Sequence, residues 1–284
     1  MRYRSAESVC RKYNEHTSER SECMPLSSAE IDDLATKLYD AYDRKEPIAP
    51  LTDDVEFSTE DAYRIQFEVF DRLSAGGRED VVGHKLGLVS EAKQEQLGIP
   101  EPIFGYVAHE TVLENEPVPT DEMIAPRIEA EIGFILDEDL TAPVSVTDVL
   151  TATRAVVPVV EILESRFQGW AIPSAQDVIA DLTSAGKVIV GEQYRDVTDV
   201  DLKMESVAVS VNGELESTGV GGDIMGNPAR PVAWLAERLD DVDDGLREGE
   251  LVMSGGITAA IDIEPGDVYT IEFANLGTME VRAE

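Results

Sequence analysis

The chain has two textures, and the boundary between them limits the folds open to it. Up to Asp80 the apolar residues recur three and four positions apart. Ile31, Leu34, Leu38 and Tyr42 form one stripe; Ala62, Ile65, Val69 and Leu73 form a second. That is the spacing of two amphipathic helices. Ser27 to Glu30 has the Ser-x-x-Glu form of a capping box, and Pro47 and Pro50 close the first helix. The second opens near Ser58 and stops at Gly76-Gly77.

After Asp80 short β-branched runs alternate with Gly, Pro, Asn and Asp turns. Strands are expected over Val81–Leu88, Ile124–Leu136, Val156–Leu163, Lys187–Val190, Leu202–Val211, Glu250–Ser254, Val268–Phe273 and Thr278–Arg282. Asn212-Gly213 signals a hairpin and Pro265-Gly266-Asp267 a turn. Helices are expected near Thr147–Arg154, near Ala175–Asp181 and over Asn227–Leu239, the last with Asn227 as cap and Pro228 at its first position. This pattern reads as a mixed, β-rich α+β fold, not an alternating parallel sheet. The expected organisation is a disordered extension over 1–23, a small helical N-terminal subdomain over 24–80 and a β-rich domain over 81–284.

Charge decides which partners are excluded. The 284 residues hold 58 acidic and 23 basic side chains, a net charge of −35. A field of that sign repels nucleic acid and anionic lipid. The acids are spread along the whole chain, as on a solvated surface adapted to high salt, where screening removes self-repulsion. No apolar run reaches the roughly 18 residues of a membrane span, and residues 1–23 lack the apolar core of a signal peptide. A cytoplasmic protein is expected. Cys10 and Cys23 are the chain's two cysteines, so no disulfide framework or thiolate metal site is expected in the folded part. Met24 offers an alternative start.

The chemistry concentrates on one strand. In Pro126-Arg127-Ile128-Glu129-Ala130-Glu131-Ile132 the period of two puts Glu129 and Glu131 on one face, roughly 6–7 Å apart. Two carboxylates side by side repel unless water or a cation lies between them, and a hard cation such as Mg²⁺ accepts the arrangement. Glu161 stands inside Val156-Val157-Pro158-Val159-Val160-Glu161-Ile162-Leu163, where burying a carboxylate is costly unless it is paired or bound to metal. An acidic strand face in water remains the other reading of the pair. Gly83-His84-Lys85-Leu86-Gly87 sets a lysine between glycines that let backbone approach a ligand. Ser254-Gly255-Gly256-Ile257-Thr258 follows a strand and can present backbone N–H groups to a carboxylate. With only His16, His84 and His109, a histidine metal site or a Ser-His-Asp triad is poorly supplied; His109-Glu110 reads as a surface loop.

Taken in order, several pieces resemble the 2-keto-4-pentenoate hydratase / 2-oxo-3-hexenedioate decarboxylase branch of the fumarylacetoacetate hydrolase superfamily. They are Ala62-Tyr63-Arg64-Ile65-Gln66, Gly83 to Leu88, Gln96-Leu97-Gly98, Pro102-Ile103-Phe104-Gly105, Pro126 to Ile132, and Val160-Glu161 with Ser165-Arg166. Asp177 to Asp181, Trp234-Leu235-Ala236, Ser254-Gly255-Gly256, Pro265-Gly266-Asp267 and Leu276-Gly277 complete the set. The resemblance covers nearly the whole chain from Ala29 onward.

The resemblance implies a mixed β-barrel-like core and a homo-oligomer, with a partner hydratase or decarboxylase as a possible companion. It implies Mg²⁺ or Mn²⁺ on Glu129, Glu131 and Glu161, Lys85 as the proton-moving catalytic residue, and Phe104, Ser184, Ser254 and Gly255 around a small 2-keto acid from aromatic catabolism. A carbon–carbon hydrolase or acylpyruvase, and a non-catalytic partner subunit, are the alternatives. Two positions depart from the pattern. Ile103 stands where hydratases often carry Asp, and Leu182 follows Asp181 where Asn is usual.

Overall fold

The computed structural model describes residues 25–74, 76–90, 94–95, 99, 101–114, 116–172, 174–241 and 244–284. The extension over 1–23, with both cysteines, and the Gln96-Leu97-Gly98 piece lie outside the described residues.

Helix α1 spans Ser28–Arg44 and α2 spans Thr59–Leu73. The capping box forms as expected: Glu30 N–H donates to Ser27 Oγ at 3.3 Å, and Ser27 N–H donates to the Glu30 carboxylate at 2.8 Å. Ser58 caps α2 by accepting from Asp61 N–H at 3.1 Å. Strands β1 (Val81–Gly87), β2 (Ile103–Ala108), β3 (Val112–Leu113) and β4 (Arg127–Leu136) come next. Helix α3 (Val146–Ala152), β5 (Thr153–Leu163), helix α4 (Ala175–Ala180) and β6 (Ala185–Val190) follow. The chain then makes β7 (Ser206–Val211), β8 (Glu214–Val220), helix α5 (Ala229–Asp241), β9 (Leu251–Met253), β10 (Ile261–Asp262), β11 (Val268–Phe273) and β12 (Gly277–Arg282).

Two sheets result. The larger runs β2-β1-β9-β4-β5-β6-β3, with β10 paired to β4; the smaller runs β12-β11-β7-β8. β1 and β9 are parallel, whereas β4 is antiparallel to β9 and β5. β2 and β6 lie five strands apart in the order yet touch, so the large sheet curls toward a barrel. Its convex face carries Ile128, Ile132 and Phe134 into one core with Leu34, Leu38, Ile65, Val69, Val149, Val232 and Leu235 from the helices. Its concave face is filled over part of its length by Val107, Ile135, Val157, Val159, Val188, Leu251 and Met253. Burying such side chains contributes about 1.5–3 kcal/mol each, so this plug fixes the curl and leaves the rest of the concave face for polar groups.

The short strands β3 and β10 were not expected and several element ends shift by up to three residues; three further details differ from the sequence expectation. β2 was not expected, because Pro102 and Gly105 interrupt an apolar run that is buried on both faces and has no alternation to read. Leu202–Met204 forms a turn, and β7 begins only at Ser206. Asn227 does cap α5, accepting from Ala229 N–H at 3.0 Å, but the helix starts at Ala229. Among the described residues no helix is long and apolar enough to cross a membrane.

Candidate metal centre and its surroundings

The β4–β5 register sets Glu129 opposite Glu161 and Glu131 opposite Val159. All three glutamates therefore face into the concave side, beyond the end of the apolar plug. One carboxylate oxygen from each lies within 4.8 Å of the others. Glu131 is 0 % exposed, Glu161 1 % and Glu129 7 %, which decides against the water-facing reading of the pair. Glu131 Oε1 and Glu161 Oε2 have no hydrogen-bond partner.

Three such groups cannot all stay ionised by themselves. Unit charges 4 Å apart at an effective dielectric of 20 interact by about 4 kcal/mol. Burial, followed by the neighbouring Glu161, pushes the Glu131 carboxyl well above the usual carboxylate range, against the opposing pull of Lys85. Glu161 is raised as well, by burial first, with Lys85 opposing. Either protons or a cation must complete the site. The donor set is oxygen only, and one oxygen of each glutamate lies within 4.8 Å of the others. That suits a hard divalent ion such as Mg²⁺ or Mn²⁺.

Lys85 enters from β1, 3 % exposed. Its Nζ is 3.0 Å from Glu161 Oε1 and donates to the Thr183 carbonyl at 2.8 Å. His84, next along the strand, points to the opposite face and packs on Tyr106 with ring centroids 5.1 Å apart. A cavity of about 440 Å³ lined by His84, Tyr106, Asp244 and Glu250 lies there, away from the carboxylates.

The Ser254–Gly256 turn serves the glutamates directly. Gly255 N–H donates to Glu131 Oε2 at 2.8 Å, so this amide is taken up by a carboxylate of the chain itself. A Cβ on Gly256 would lie 2.6 Å from Glu129 Cδ; only glycine leaves that carboxylate its place. Ser254 is fully buried and its Oγ has no partner.

Beside Lys85 the chain makes an unusual turn. Leu182, Thr183 and Ser184 all have left-handed backbone, with φ of 55°, 53° and 57°. Each such non-glycine residue costs roughly 1–2 kcal/mol. The surroundings over-determine it. Thr183 Oγ1 donates to the Phe104 carbonyl at 2.6 Å. Gln66, buried in α2, donates through Nε2 to Thr183 Oγ1 at 3.2 Å and to the Ile179 carbonyl at 2.7 Å. Glu164 N–H donates to the Ser184 carbonyl at 3.0 Å. Arg166, buried, pairs through Nε with Asp181 and donates to the Ala185 carbonyl at 3.0 Å. Burial raises Asp181 to about 6 even though Arg166 pulls the other way. Space comes from two glycines: a Cβ on Gly105 would lie 2.7 Å from the Leu182 carbonyl oxygen, and one on Gly87 3.0 Å from Thr183 Cγ2.

The structure thus brings together Lys85, Glu129, Glu131, Glu161 and Gly255. Ser184 sits in the left-handed turn with its N–H donating to the Asp181 carbonyl at 2.8 Å. Phe104 is not brought in. β2 pairs Phe104 with Leu86 and Gly105 with Lys85, so the Phe104 ring faces the helices and stacks on Tyr63 at 4.6 Å; only its carbonyl reaches the turn. Ile103 lies against Gly87, giving the site an apolar wall where the resemblance expects Asp. His109 and Glu110 are exposed, as read. Sequence reasoning assigned no role to Gln66, Thr183 or the Arg166–Asp181 pair. The usable signal was a glutamine beside the apolar stripe of α2.

Comparison with known proteins agrees with this geometry. The family pattern described as fumarylacetoacetate (FAA) hydrolase C-terminal matches residues 81–283. A 2-hydroxypent-2,4-dienoate hydratase of Pseudomonas putida is 42% identical over 213 residues, 74% of this chain and 95% of the relative. A 2-hydroxyhexa-2,4-dienoate hydratase of Comamonas testosteroni is 34% identical over 257 residues, 89% of this chain and 97% of the relative. The solved 4-oxalocrotonate decarboxylase of Pseudomonas putida G7, complexed with magnesium and adipate, superposes with a TM-score of 0.87 at 32% identity, covering 92% of this chain and 100% of that one. With the curled sheet, the buried glutamates and the ordered motifs pointing the same way, the chain belongs to the fumarylacetoacetate hydrolase family.

Proposed function

We propose that the chain is a divalent-metal-dependent lyase for a small unsaturated 2-keto acid, of the 2-keto-4-pentenoate hydratase or 2-oxo-3-hexenedioate decarboxylase type. The observation that carries the reading is the buried Glu129/Glu131/Glu161 cluster with its orphaned oxygens and Lys85 set upon it. Mg²⁺ or Mn²⁺ held by these glutamates would supply Lewis-acid polarisation of the carboxylate and keto oxygens of the acid.

The remaining work falls to the chain. An ammonium has three N–H bonds. The Thr183 carbonyl accepts one from Lys85 and Glu161 stands at ion-pair distance from the same Nζ, which leaves a third to exchange a proton with a substrate carbon. Gly255 fixes Glu131, and Gly256 leaves room for Glu129. Ile103 stands against Gly87, two positions along the strand from Lys85, and makes that side of the site apolar, and the unpartnered Ser254 Oγ is the donor offered to a substrate oxygen. The proposal also includes a homo-oligomer working in the cytoplasm at high salt.

The test is a UV assay in high salt with Mg²⁺ or Mn²⁺, offering 2-hydroxypenta-2,4-dienoate and 2-oxo-3-hexenedioate in parallel, with EDTA controls. Metal-dependent loss of the dienol assigns a hydratase, and CO₂ release from the diacid assigns a decarboxylase. Silence on both, with Mn²⁺ bound, would overturn the lyase reading in favour of a hydrolase.

A further inference from the structure

We infer that Gln66 is a positioning residue for Lys85, acting through the left-handed turn at Leu182–Ser184. The inference rests on the reading of Lys85 as the proton carrier. A lysine side chain is long and flexible, so the reach of its ammonium is set by the acceptors that hold it. One of these is a backbone carbonyl, Thr183 O, whose direction follows from the left-handed Thr183 backbone, φ 53° and ψ 37°. A β-branched residue does not hold that conformation by itself.

Gln66 supplies what holds it. Its side chain is 0 % exposed and crosses from α2 into the gap between β2 and the end of α4. The Nε2 group reaches Ile179 O at 2.7 Å, Phe104 O at 3.1 Å and Thr183 Oγ1 at 3.2 Å. The first acceptor lies in α4, the second on β2 beside Lys85, and the third is in the turn itself. One amide therefore ties the turn to the strand that neighbours the lysine strand and to the helix that feeds it. Thr183 Oγ1 closes the loop by donating to the same Phe104 carbonyl. The Gln66 amide bonds to Phe104, Ile179 and Thr183 and not to the carboxylates or Lys85, so its influence on Nζ passes through Thr183.

The test compares Gln66→Met, which keeps the volume and removes the amide, with Thr183→Val, Thr183→Ser and Lys85→Met. The assay follows kcat and KM on 2-hydroxypenta-2,4-dienoate or 2-oxo-3-hexenedioate, whichever the intact chain turns over, together with Mn²⁺ affinity by titration calorimetry and folding by circular dichroism. Gln66→Met and Thr183→Val are expected to lower kcat about 10- to 100-fold while KM and Mn²⁺ affinity move less than about twofold. Thr183→Ser, which keeps the hydroxyl, recovers most of kcat, and the Gln66/Thr183 double variant is no worse than the poorer single variant. A folded Gln66→Met with wild-type kcat overturns the inference. So does a loss shared equally by kcat, Mn²⁺ affinity and folding, which marks a structural role only. If Lys85→Met itself leaves turnover intact, the reading of the site fails first, and the two failures are thereby told apart.

Discussion

Replacing Gly256 with alanine should unseat Glu129 while leaving the fold in place. The added Cβ would overlap Glu129 Oε2 and stand 2.6 Å from Cδ, where ordinary contact begins at 3.4 Å, so the carboxylate must retreat by at least about 0.8 Å. Gly256 has no left-handed backbone, so alanine is not strained there, and the atoms it meets are the far end of a flexible side chain. The cost to folding is of the order of one displaced rotamer, about 0.5–1.5 kcal/mol. Metal sites tolerate ligand displacements of only about 0.2 Å. A shift four times as large removes one of three carboxylate ligands. Losing even an outer-shell support costs roughly 10- to 100-fold in metal affinity, so at least that loss is expected, about 1.4–2.7 kcal/mol. Calorimetric titration with Mn²⁺ measures it, and thermal melting in EDTA checks the fold. Gly255→Ala is the informative contrast: with φ of 97° and Val89 Cγ2 2.5 Å away, it should damage the turn itself. A folded Gly256→Ala protein that binds Mn²⁺ within twofold of the parent would refute the placement of Glu129.

Further predictions follow from the charges. Because burial holds Glu131 well above its ordinary range, the metal-free site binds a proton more readily than a free carboxylate, and an ion competes with that proton. Metal binding should release protons and weaken as pH falls, read by calorimetry in buffers of different ionisation enthalpy; zero release would contradict the raised carboxyl. Arg166→Met should cost about 3–5 kcal/mol at pH 7, because it strands the buried Asp181 and Glu164 carboxylates. Asp181, raised from 3.8 to about 6 in the fold, binds its proton more tightly folded than unfolded. Its ionisation therefore opposes folding as pH rises from about 4 to 6, and the penalty is full above that. The Arg166→Met loss should accordingly be smaller at pH 4 than at pH 7 in denaturant titrations, and an equal loss at both would sink the assignment. The net charge of −35 should make the melting temperature rise between about 0.1 M and 1 M KCl, as the screening length falls from about 10 Å to about 3 Å; a flat or falling Tm would remove the salt adaptation.

How far the sequence could be read depended on what each residue advertises locally. Glu129 and Glu131 were legible because strand periodicity alone puts them on one face. Glu161 was legible because a carboxylate amid valines must be accounted for. What joins the three is the β4–β5 register, a non-local fact that only the ordered motifs implied. Phe104 came with the resemblance and not from periodicity, because its strand gives no alternation; the register turns its ring to the helices, and its neighbour Gly105 holds the inward position. Ser254–Gly256 was correctly seen as a source of backbone donors, but its amide is used by Glu131. The left-handed turn had no local signal, since Leu, Thr and Ser all avoid positive φ, and its causes lie far away in Gln66 and Arg166.

The central claim is that Glu129, Glu131 and Glu161 hold a divalent ion on which turnover depends. Glu131→Gln tests it most directly, assayed for Mn²⁺ binding, for turnover of the two candidate acids, and for melting in EDTA. The predicted result is loss of metal-dependent turnover and of tight Mn²⁺ binding, with a metal-free fold at least as stable as the parent because one buried, repelled carboxylate is gone. Full activity in that variant, or tight Mn²⁺ binding unchanged, would contradict the account.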